Sequence, residues 1–367
     1  MDEIYAKFSK GYHTYQSVTL PFNFFALQSY DTGQHYPLVV CLHGSGERGD
    51  SPDAVKKNRM AVVWARDSNQ SRWPCFILVP QCPTGGSWVN LYGLGSYSTG
   101  TIPIRKELLA VLDLLDSLIA IYPVDTNRIY VTGLSMGGFG TWDLIVRYPD
   151  RFAAAVPMSG AGDTSRASLI KDVPVWNFHG ALDNVVPATG SREMMHAIER
   201  AGESVVYTHC HDGDCTGLPD WAIAAECRSG AKHLYTEYQN GQHTIWDDAY
   251  NTNFLLPWVF SKSRADRVVG VHSAESSSIP KQMELFQNYP NPFNPTTMIE
   301  FTISKLSTVD LRIFDLLGRK VVTLENEQRT PGNYSVKWDA SDLPSGVYFY
   351  QLRAGPFVQT RMLVLVK

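Results

Sequence analysis

The sequence has no long apolar run and no strong excess of charge of either sign. None of its hydrophobic stretches reaches the roughly 20 residues that a membrane-spanning helix needs, so we expect no transmembrane segment. The formal net charge is −4 over 367 residues, without a long basic run, which argues against nucleic acid as a partner. The composition, 44% hydrophobic and 19% charged, suits a protein that buries a large core in more than one domain.

Cysteine is also scarce, with six in the whole chain. Cys210, Cys215 and Cys227 fall in one polar insertion, where a disulfide is compatible with an exported protein. The insertion also contains His and Asp, but it lacks the second ligand pair that a zinc site requires, so we predict no metal. The residues after Met1 do not resemble a signal peptide. The chain is therefore either cytoplasmic or exported by a signal outside this numbering.

The first two thirds of the chain alternates short apolar runs with helical patterns. Apolar runs of this length are typical of strands that are buried on both faces. The alternation predicts an α/β fold in which helices cover a mostly parallel sheet. Strands are predicted at Tyr36–Leu42, Phe76–Val79, Ile129–Val131, Ala153–Pro157 and Val173–Phe178. Helices are predicted at Arg105–Ile121, Thr141–Arg147 and Ser191–Ala201.

The composition changes after residue 264. Residues 265–283 form a predicted Ser-rich linker without periodicity. From residue 284 to 367 every segment has the pattern of a strand, and Gly- and Pro-containing turns separate the segments. That spacing predicts a small antiparallel, immunoglobulin-like β-sandwich. It contains no grouping of a nucleophile with a base, so we predict that catalysis belongs to residues 1–264.

One short motif carries most of the chemical information. An apolar run ends in Gly133-Leu134-Ser135-Met136-Gly137, and a helical pattern follows. Glycines on both sides of a serine permit the sharp strand-to-helix turn that exposes a nucleophile. The backbone N–H of Met136 then lies at a helix start, where it can stabilise developing negative charge. We therefore predict Ser135 as the catalytic nucleophile.

A serine hydroxyl needs a histidine base that a carboxylate orients. Downstream of a serine in this strand–turn–helix context, the acid precedes the histidine in the chain. Asp183 follows a buried strand through a short turn, which makes it the predicted acid; Asp172 is a weaker competitor. His243 lies in a Gly-containing loop after an apolar segment and is the predicted base. His179 is expected to brace the turn of the acid.

The loop after the first predicted strand, His43-Gly44-Ser45-Gly46, lets the backbone approach a substrate closely. We predict an oxyanion hole made by the N–H groups of Ser45 and Met136, and we favour Ser45 over Gly44. Trp88 and Trp246 are candidate walls for an acyl group or a sugar, with a core or surface location as the alternative. The predicted chemistry requires no cofactor.

The front of the chain resembles a group of α/β-hydrolases. The resemblance is carried by Tyr36–Gly49, Pro80–Pro83, the turn at Ser135, and His179–Pro187, and the His243 loop is similar to the Gly-x-His-x-x-Trp loop of this group. The group holds polyhydroxybutyrate-depolymerase-like esterases, feruloyl and acetylxylan esterases and predicted peptidases. The resemblance implies a serine ester hydrolase that acts on plant-wall esters or polyesters. The alternatives are a prolyl-oligopeptidase-like serine peptidase and a non-catalytic surface binding protein.

The tail resembles the C-terminal sorting domain of type IX secretion substrates. The resemblance is carried by Leu285–Thr297, Ile313–Gly318, Gly332–Asp339 and Ser345–Tyr350. It implies that the type IX machinery is a partner and that the protein is released or attached at the cell surface.

Overall fold

The protein divides into two compact units, Met1–Val269 and Gly270–Lys367. The structure, a computed structural model, describes residues 2–27, 30–31, 33–53, 60–90, 95–210, 223, 226–227, 230–267, 283–286, 288, 291 and 293–366. Most of the predicted linker, 268–282, lies outside the described residues. The linker boundaries at 265 and 283 therefore stay predictions.

The first unit is built on one nine-stranded sheet with the order β1-β2-β4-β3-β5-β6-β7-β9-β8. Its strands are β1 Ser9–Tyr15, β2 Val18–Phe25, β3 Tyr36–Leu42, β4 Phe76–Pro80, β5 Val124–Leu134, β6 Ala154–Met158, β7 Val175–Gly180, β8 Val205–Cys210 and β9 His233–Tyr238. Its α-helices are α1 Asp2–Tyr5, α2 Val62–Ala65, α3 Asp67–Gln70, α4 Lys106–Ile121, α5 Met136–Arg147, α6 Thr189–Arg200, α7 Trp246–Tyr250 and α8 Leu255–Phe260. The pairs β1–β2 and β2–β4 are antiparallel, whereas the pairs from β4 through β3 to β8 are parallel.

The α/β class with a mostly parallel sheet is thus confirmed. Both faces of the central strands are covered, as their continuous apolar runs predicted. In β3, Leu38 and Val40 belong to one core cluster, while Val39 and Cys41 belong to the cluster on the other face. The β1–β2 hairpin was not predicted, because its exposed polar residues interrupt the apolar pattern.

The second unit consists of two small antiparallel sheets. One has the order β10-β11-β14 and the other the order β13-β12-β15-β16. Its strands are β10 Glu284–Leu285, β11 Thr296–Ile303, β12 Ser307–Phe314, β13 Lys320–Arg329, β14 Gly332–Asp339, β15 Gly346–Ala354 and β16 Phe357–Leu365. Side chains from both sheets, among them Ile299, Leu311 and Leu352, form one shared core. The predicted small β domain is confirmed.

In the described ranges, no helix has both the length and the apolar character that a membrane crossing requires.

Candidate active site

Ser135 lies in a sharp turn between β5 and α5. Its backbone has φ 51° and ψ −119°, a conformation that residues other than glycine rarely adopt. The turn is held because the Ser135 N–H donates to Met158 O at 2.9 Å and its carbonyl accepts from the Phe139 N–H at 3.1 Å. The bonds to β6 and α5 thus hold Ser135 in a sharp turn between the strand and the helix.

Two glycines make this turn sterically feasible. A Cβ on Gly133 would lie 2.3 Å from the carbonyl oxygen of Gly137, and a Cβ on Gly137 would lie 1.9 Å from that of Leu42. Both neighbours are backbone atoms that cannot rotate away. The glycines of the motif therefore permit close packing of β3, the turn and α5.

The structure brings Ser135, His243 and Asp183 into one hydrogen-bonded row. His243 Nε2 lies 2.9 Å from Ser135 Oγ, and His243 Nδ1 lies 2.7 Å from Asp183 Oδ2. Since an ionised carboxylate can only accept, Nδ1 carries the proton and Nε2 presents its lone pair to the serine hydroxyl. The row therefore has the polarity that nucleophile activation requires.

Asp183 is buried but well supplied with donors. Its Oδ1 accepts from the backbone N–H groups of Val185 and Val186, both at 2.8 Å. Its Oδ2 lies 3.3 Å from His179 Nε2. Burial alone would raise the pKa of the carboxyl, but the bonds from His179, His243 and the backbone outweigh it and lower that pKa to about 2. Asp183 is therefore ionised at neutral pH.

The loops that carry the acid and the base are fastened to each other. The Leu182 N–H donates to Gly241 O at 2.9 Å, and a Cβ on Gly180 would lie 2.2 Å from Gln242 O. Ser159 Oγ donates to His243 O at 3.2 Å from a backbone with φ 48°. These contacts fix the imidazole of His243 between Ser135 and Asp183.

Ser45 and Met136 line one groove together with Ser135. The groove has a volume of 390 Å³, and its other lining residues are Arg48, Ser87, Val89, Asn90, Phe139, Val185 and Val186. Met136 begins α5, so its N–H has no carbonyl four residues earlier in the helix to bond with. Ser45 begins a short 3₁₀ turn, Ser45–Glu47, that follows β3. Both predicted oxyanion donors thus belong to segments that border Ser135.

His43 holds the loop before Ser45 in place, a role that the sequence did not indicate. The Cys82 N–H donates to its Nε2 at 2.8 Å, and its Nδ1 donates to Gly44 O at 2.6 Å. Burial lowers the pKa of His43 to about 4, so the ring is neutral at pH 7. The only signal in the sequence was its place directly after an apolar strand.

The proposed substrate contact at Trp88 is corrected by the structure. Trp88 is fully buried, and its indole N–H donates to His43 O at 3.0 Å. Trp88 therefore stabilises the loop before Ser45 through its bond to His43, and it has no exposed surface that a substrate can contact. Trp246 is half-buried at the start of α7, with its ring 5.2 Å from the His243 imidazole. A direct substrate contact of Trp246 stays a prediction.

The predicted disulfide involves Cys210, Cys215 and Cys227. Cys215 lies outside the described residues, and the side chain of Cys210 is likewise not described. Cys227 is half-buried. The disulfide therefore stays a prediction. Cys41, Cys75 and Cys82 are buried free thiols.

A second and larger cavity of 770 Å³ lies elsewhere in the first unit. It is bordered by Arg66, Trp73, Trp258 and Lys262, among other residues. Tyr130, which lies in β5, donates to the carbonyl oxygen of Lys262, one of the lining residues, at 2.8 Å. Ser135, Asp183 and His243 do not line this cavity.

A serine, histidine and aspartate at the carboxyl edge of a mostly parallel sheet, with the serine in a strained strand–helix turn, define an α/β-hydrolase. Residues 28–215 match the Phospholipase/Carboxylesterase family. The chain belongs to this family.

Several characterised relatives and solved structures are similar to this chain. Poly(3-hydroxyalkanoate) depolymerase C of Paucimonas lemoignei is 31% identical over 127 residues, which are 34% of this chain and 28% of that protein. A bifunctional acetylxylan esterase/xylanase of Neocallimastix patriciarum is 32% identical over 58% of this chain and 30% of that protein. The chain therefore spans less than a third of either relative. A solved thermostable esterase is 35% identical with a TM-score of 0.60, over 71% of this chain and 64% of that chain.

The tail has a match of its own. Residues 287–366 match the secretion system C-terminal sorting domain, which confirms the resemblance drawn from the Leu285–Thr297 motif. This domain directs the protein through type IX secretion to the cell surface or the extracellular space.

Proposed function

We propose that this protein is an extracellular serine carboxylic-ester hydrolase. The observation that carries the proposal is the continuous row from Ser135 Oγ through the His243 imidazole to Asp183, with spacings of 2.9 and 2.7 Å. Membership of the Phospholipase/Carboxylesterase family supports it.

In the proposed mechanism, Ser135 Oγ attacks the ester carbonyl carbon while its proton passes to His243 Nε2. The ionised Asp183 stabilises the resulting imidazolium. The N–H groups of Ser45 and Met136 donate to the oxyanion of the tetrahedral intermediate. His243 then gives its proton to the departing alcohol, and the acyl group remains on Ser135. A water molecule, deprotonated by His243, releases the acid in a second addition and elimination.

The substrates that we propose are esters of plant-wall polymers, acetyl or feruloyl, or polyesters. Relatives named as acetylxylan esterases and as a poly(3-hydroxyalkanoate) depolymerase support this range. Export suits such substrates, because polymers of this size do not enter a cell.

The proposal is tested with the full chain and a fluorophosphonate probe, followed by hydrolysis of acetyl, butyryl, feruloyl and terephthalate esters and of a peptide anilide. We expect the probe to label the wild type but not Ser135→Ala, and we expect turnover of at least one ester class. An unlabelled wild type would leave only a binding function. Turnover of the anilide in preference to every ester would identify a peptidase.

A further inference from the structure

The groove beside Ser135 contains a cation without an anionic partner. Arg48 lines the groove, and none of the other lining residues carries a carboxylate. Throughout the described ranges, no acidic side chain forms an ion pair with Arg48. The neighbouring Glu47 carboxylate lies 4.0 Å from His43 Nδ1 instead. An arginine beside a nucleophile therefore keeps its charge available for a ligand.

The guanidinium of Arg48 is held in a fixed orientation. Its Nε donates to Gly86 O at 2.6 Å, and its Nη1 donates to Ser45 O at 3.3 Å. These two bonds lie at different edges of the planar group, the Cys82 thiol is a further hydrogen-bonding neighbour of the side chain, and no oxygen acceptor of the described residues is bonded to Nη2. Because both acceptors are backbone carbonyls, the positive charge is oriented but not neutralised.

Asn90 adds a second oriented donor to the same groove. Its Oδ1 accepts from Arg105 Nη1 at 2.8 Å. Arg105 is itself fixed by two bonds to the buried Glu107, at 2.9 and 2.8 Å. The carboxamide oxygen of Asn90 is thus committed to Arg105, and its N–H₂ group has no acceptor among the residues that the structure describes.

We propose that Arg48 and Asn90 form a carboxylate-binding subsite next to the nucleophile. A groove with oriented N–H donors, one of them charged, and without acidic walls favours an anionic oxygen ligand, and a guanidinium matches a carboxylate best. The enzyme then prefers esters that carry a free carboxylate in the acyl or the alcohol part. This preference rests on the proposed function, whereas binding of the carboxylate itself does not.

The kinetic test compares esters that differ only in a carboxylate. Monomethyl adipate against dimethyl adipate places the charge in the acyl part, and 3-acetoxybutyrate against its methyl ester places it in the alcohol part. For at least one pair we expect the wild type to favour the charged ester in kcat/KM by about tenfold to a hundredfold, the range of a charge-assisted hydrogen bond. We expect most of this preference to come from KM.

Variants at position 48 separate charge recognition from support of the Ser45 loop. Arg48→Gln loosens that loop and lowers activity on both members of a pair, so the ratio within each pair is the informative quantity. We expect Arg48→Gln to bring the ratio close to one and Arg48→Lys to restore part of it. Arg200→Gln is the charge-matched control, because Arg200 is exposed at the end of α6 and does not line the groove. A ratio that Arg48→Gln leaves unchanged would overturn the proposal.

A binding experiment keeps the proposal falsifiable if no ester is hydrolysed. Titration calorimetry on the full-length Ser135→Ala protein compares adipate with neutral adipamide. We expect adipate to bind at least tenfold more tightly, with an affinity that falls as salt increases and is lost on Arg48→Gln. Equal affinities for the two molecules, or retention of adipate binding in the Arg48→Gln protein, would refute the subsite. Hydrolysis without any carboxylate preference would refute the subsite and leave the proposed function intact.

Discussion

The two units of the protein bury very different side chains. In the first unit, His43, His179 and Asp183 are all at least nine-tenths buried. In the described part of the second unit, the buried polar residues are Asn288, Thr297 and Ser307, none of which ionises near neutral pH. A buried ionisable group costs free energy unless other groups bond to it. The first unit therefore maintains a costly buried polar cluster, which the proposed function explains, whereas the described part of the second unit is a packed core with few buried polar side chains.

Backbone strain follows the same division. Among the described residues, positive φ at non-glycine positions occurs in the first unit, at Gln16, Ser135 and Ser159, whereas in the second unit positive φ occurs at Gly318 and Gly355. Glycine tolerates this conformation, but serine does not without support from its surroundings. Two of the three strained non-glycine residues in the described ranges, Ser135 and Ser159, are bonded to His243, and the third lies in the turn between β1 and β2.

The largest expected effect comes from matched serine substitutions in the two units. Ser135 and Ser307 are both 9% exposed. We expect Ser135→Ala to lower kcat by about a millionfold, as loss of a triad nucleophile does elsewhere. Ser307→Ala should leave kcat unchanged, since its hydroxyl donates only to Lys305 O. Steady-state kinetics on an ester checks both, and a Ser135→Ala enzyme with more than a hundredth of the wild-type kcat would contradict the assignment.

Glycine substitutions sharpen the comparison of packing. Gly137→Ala places a methyl group 1.9 Å from Leu42 O, whereas a Cβ on Gly346 meets nothing closer than 3.9 Å. Overpacking of this kind costs about 1–3 kcal/mol or more. We expect Gly137→Ala to lower the unfolding temperature of the first unit by several degrees and to abolish activity, and Gly346→Ala to change neither. Calorimetric scans of both variants provide the measurement, and equal shifts would contradict the packing argument.

The sequence predicted the second unit and the central sheet for the same physical reason. Alternation along β12, where Val309, Leu311 and Ile313 are buried, is a local pattern, and so are the fully buried runs of β3 and β4. Such patterns are readable because one segment contains all the information. In the β1–β2 hairpin, β1 has mixed burial and escaped prediction for that reason, whereas β2 is mostly buried but carries Pro21 and Asn23 within its apolar run.

Residues of the candidate site could be predicted only where a short sequence motif determines the local backbone geometry or where chain order restricts the choice. The Gly-x-Ser-x-Gly turn indicated Ser135, and chain order indicated Asp183 and His243. The sequence left Trp88 open between a substrate wall and the core, because the direction of a loop tryptophan depends on packing that no local pattern encodes, and the structure places it in the core. His43 and Asn90 escaped for a related reason, since bonding partners of His43 lie 38 and 39 residues away and that of Asn90 lies 15 residues away.

Acid stability provides a smaller contrast. The folded state lowers the pKa of Asp183 from its ordinary 3.8 to about 2. Its carboxylate therefore stabilises the fold fully above about pH 4, and this contribution disappears as the pH falls through about 2. We expect Asp183→Asn to destabilise the first unit by about 1.5–3 kcal/mol at pH 7, with the difference from wild type shrinking between pH 4 and pH 2. Asp310→Asn is the control, because Asp310 pairs with the half-exposed Arg312, and a pair in contact with solvent contributes less than about 1 kcal/mol. Thermal unfolding from pH 7 to 2 would contradict the prediction if the Asp183→Asn difference stayed constant.

The smallest expected effect on catalysis is that of removing the second unit. Each unit has its own hydrophobic core, and all three triad residues and the groove belong to the first. We therefore expect a chain that ends after Lys281 to keep kcat/KM on soluble esters within about twofold. In a type IX-competent host the same truncation should abolish appearance of the enzyme outside the cell. The two readouts divide the molecule into a unit that reacts and a unit that directs export. A tenfold loss of kcat/KM with unchanged unfolding of the first unit would show that the division is incomplete.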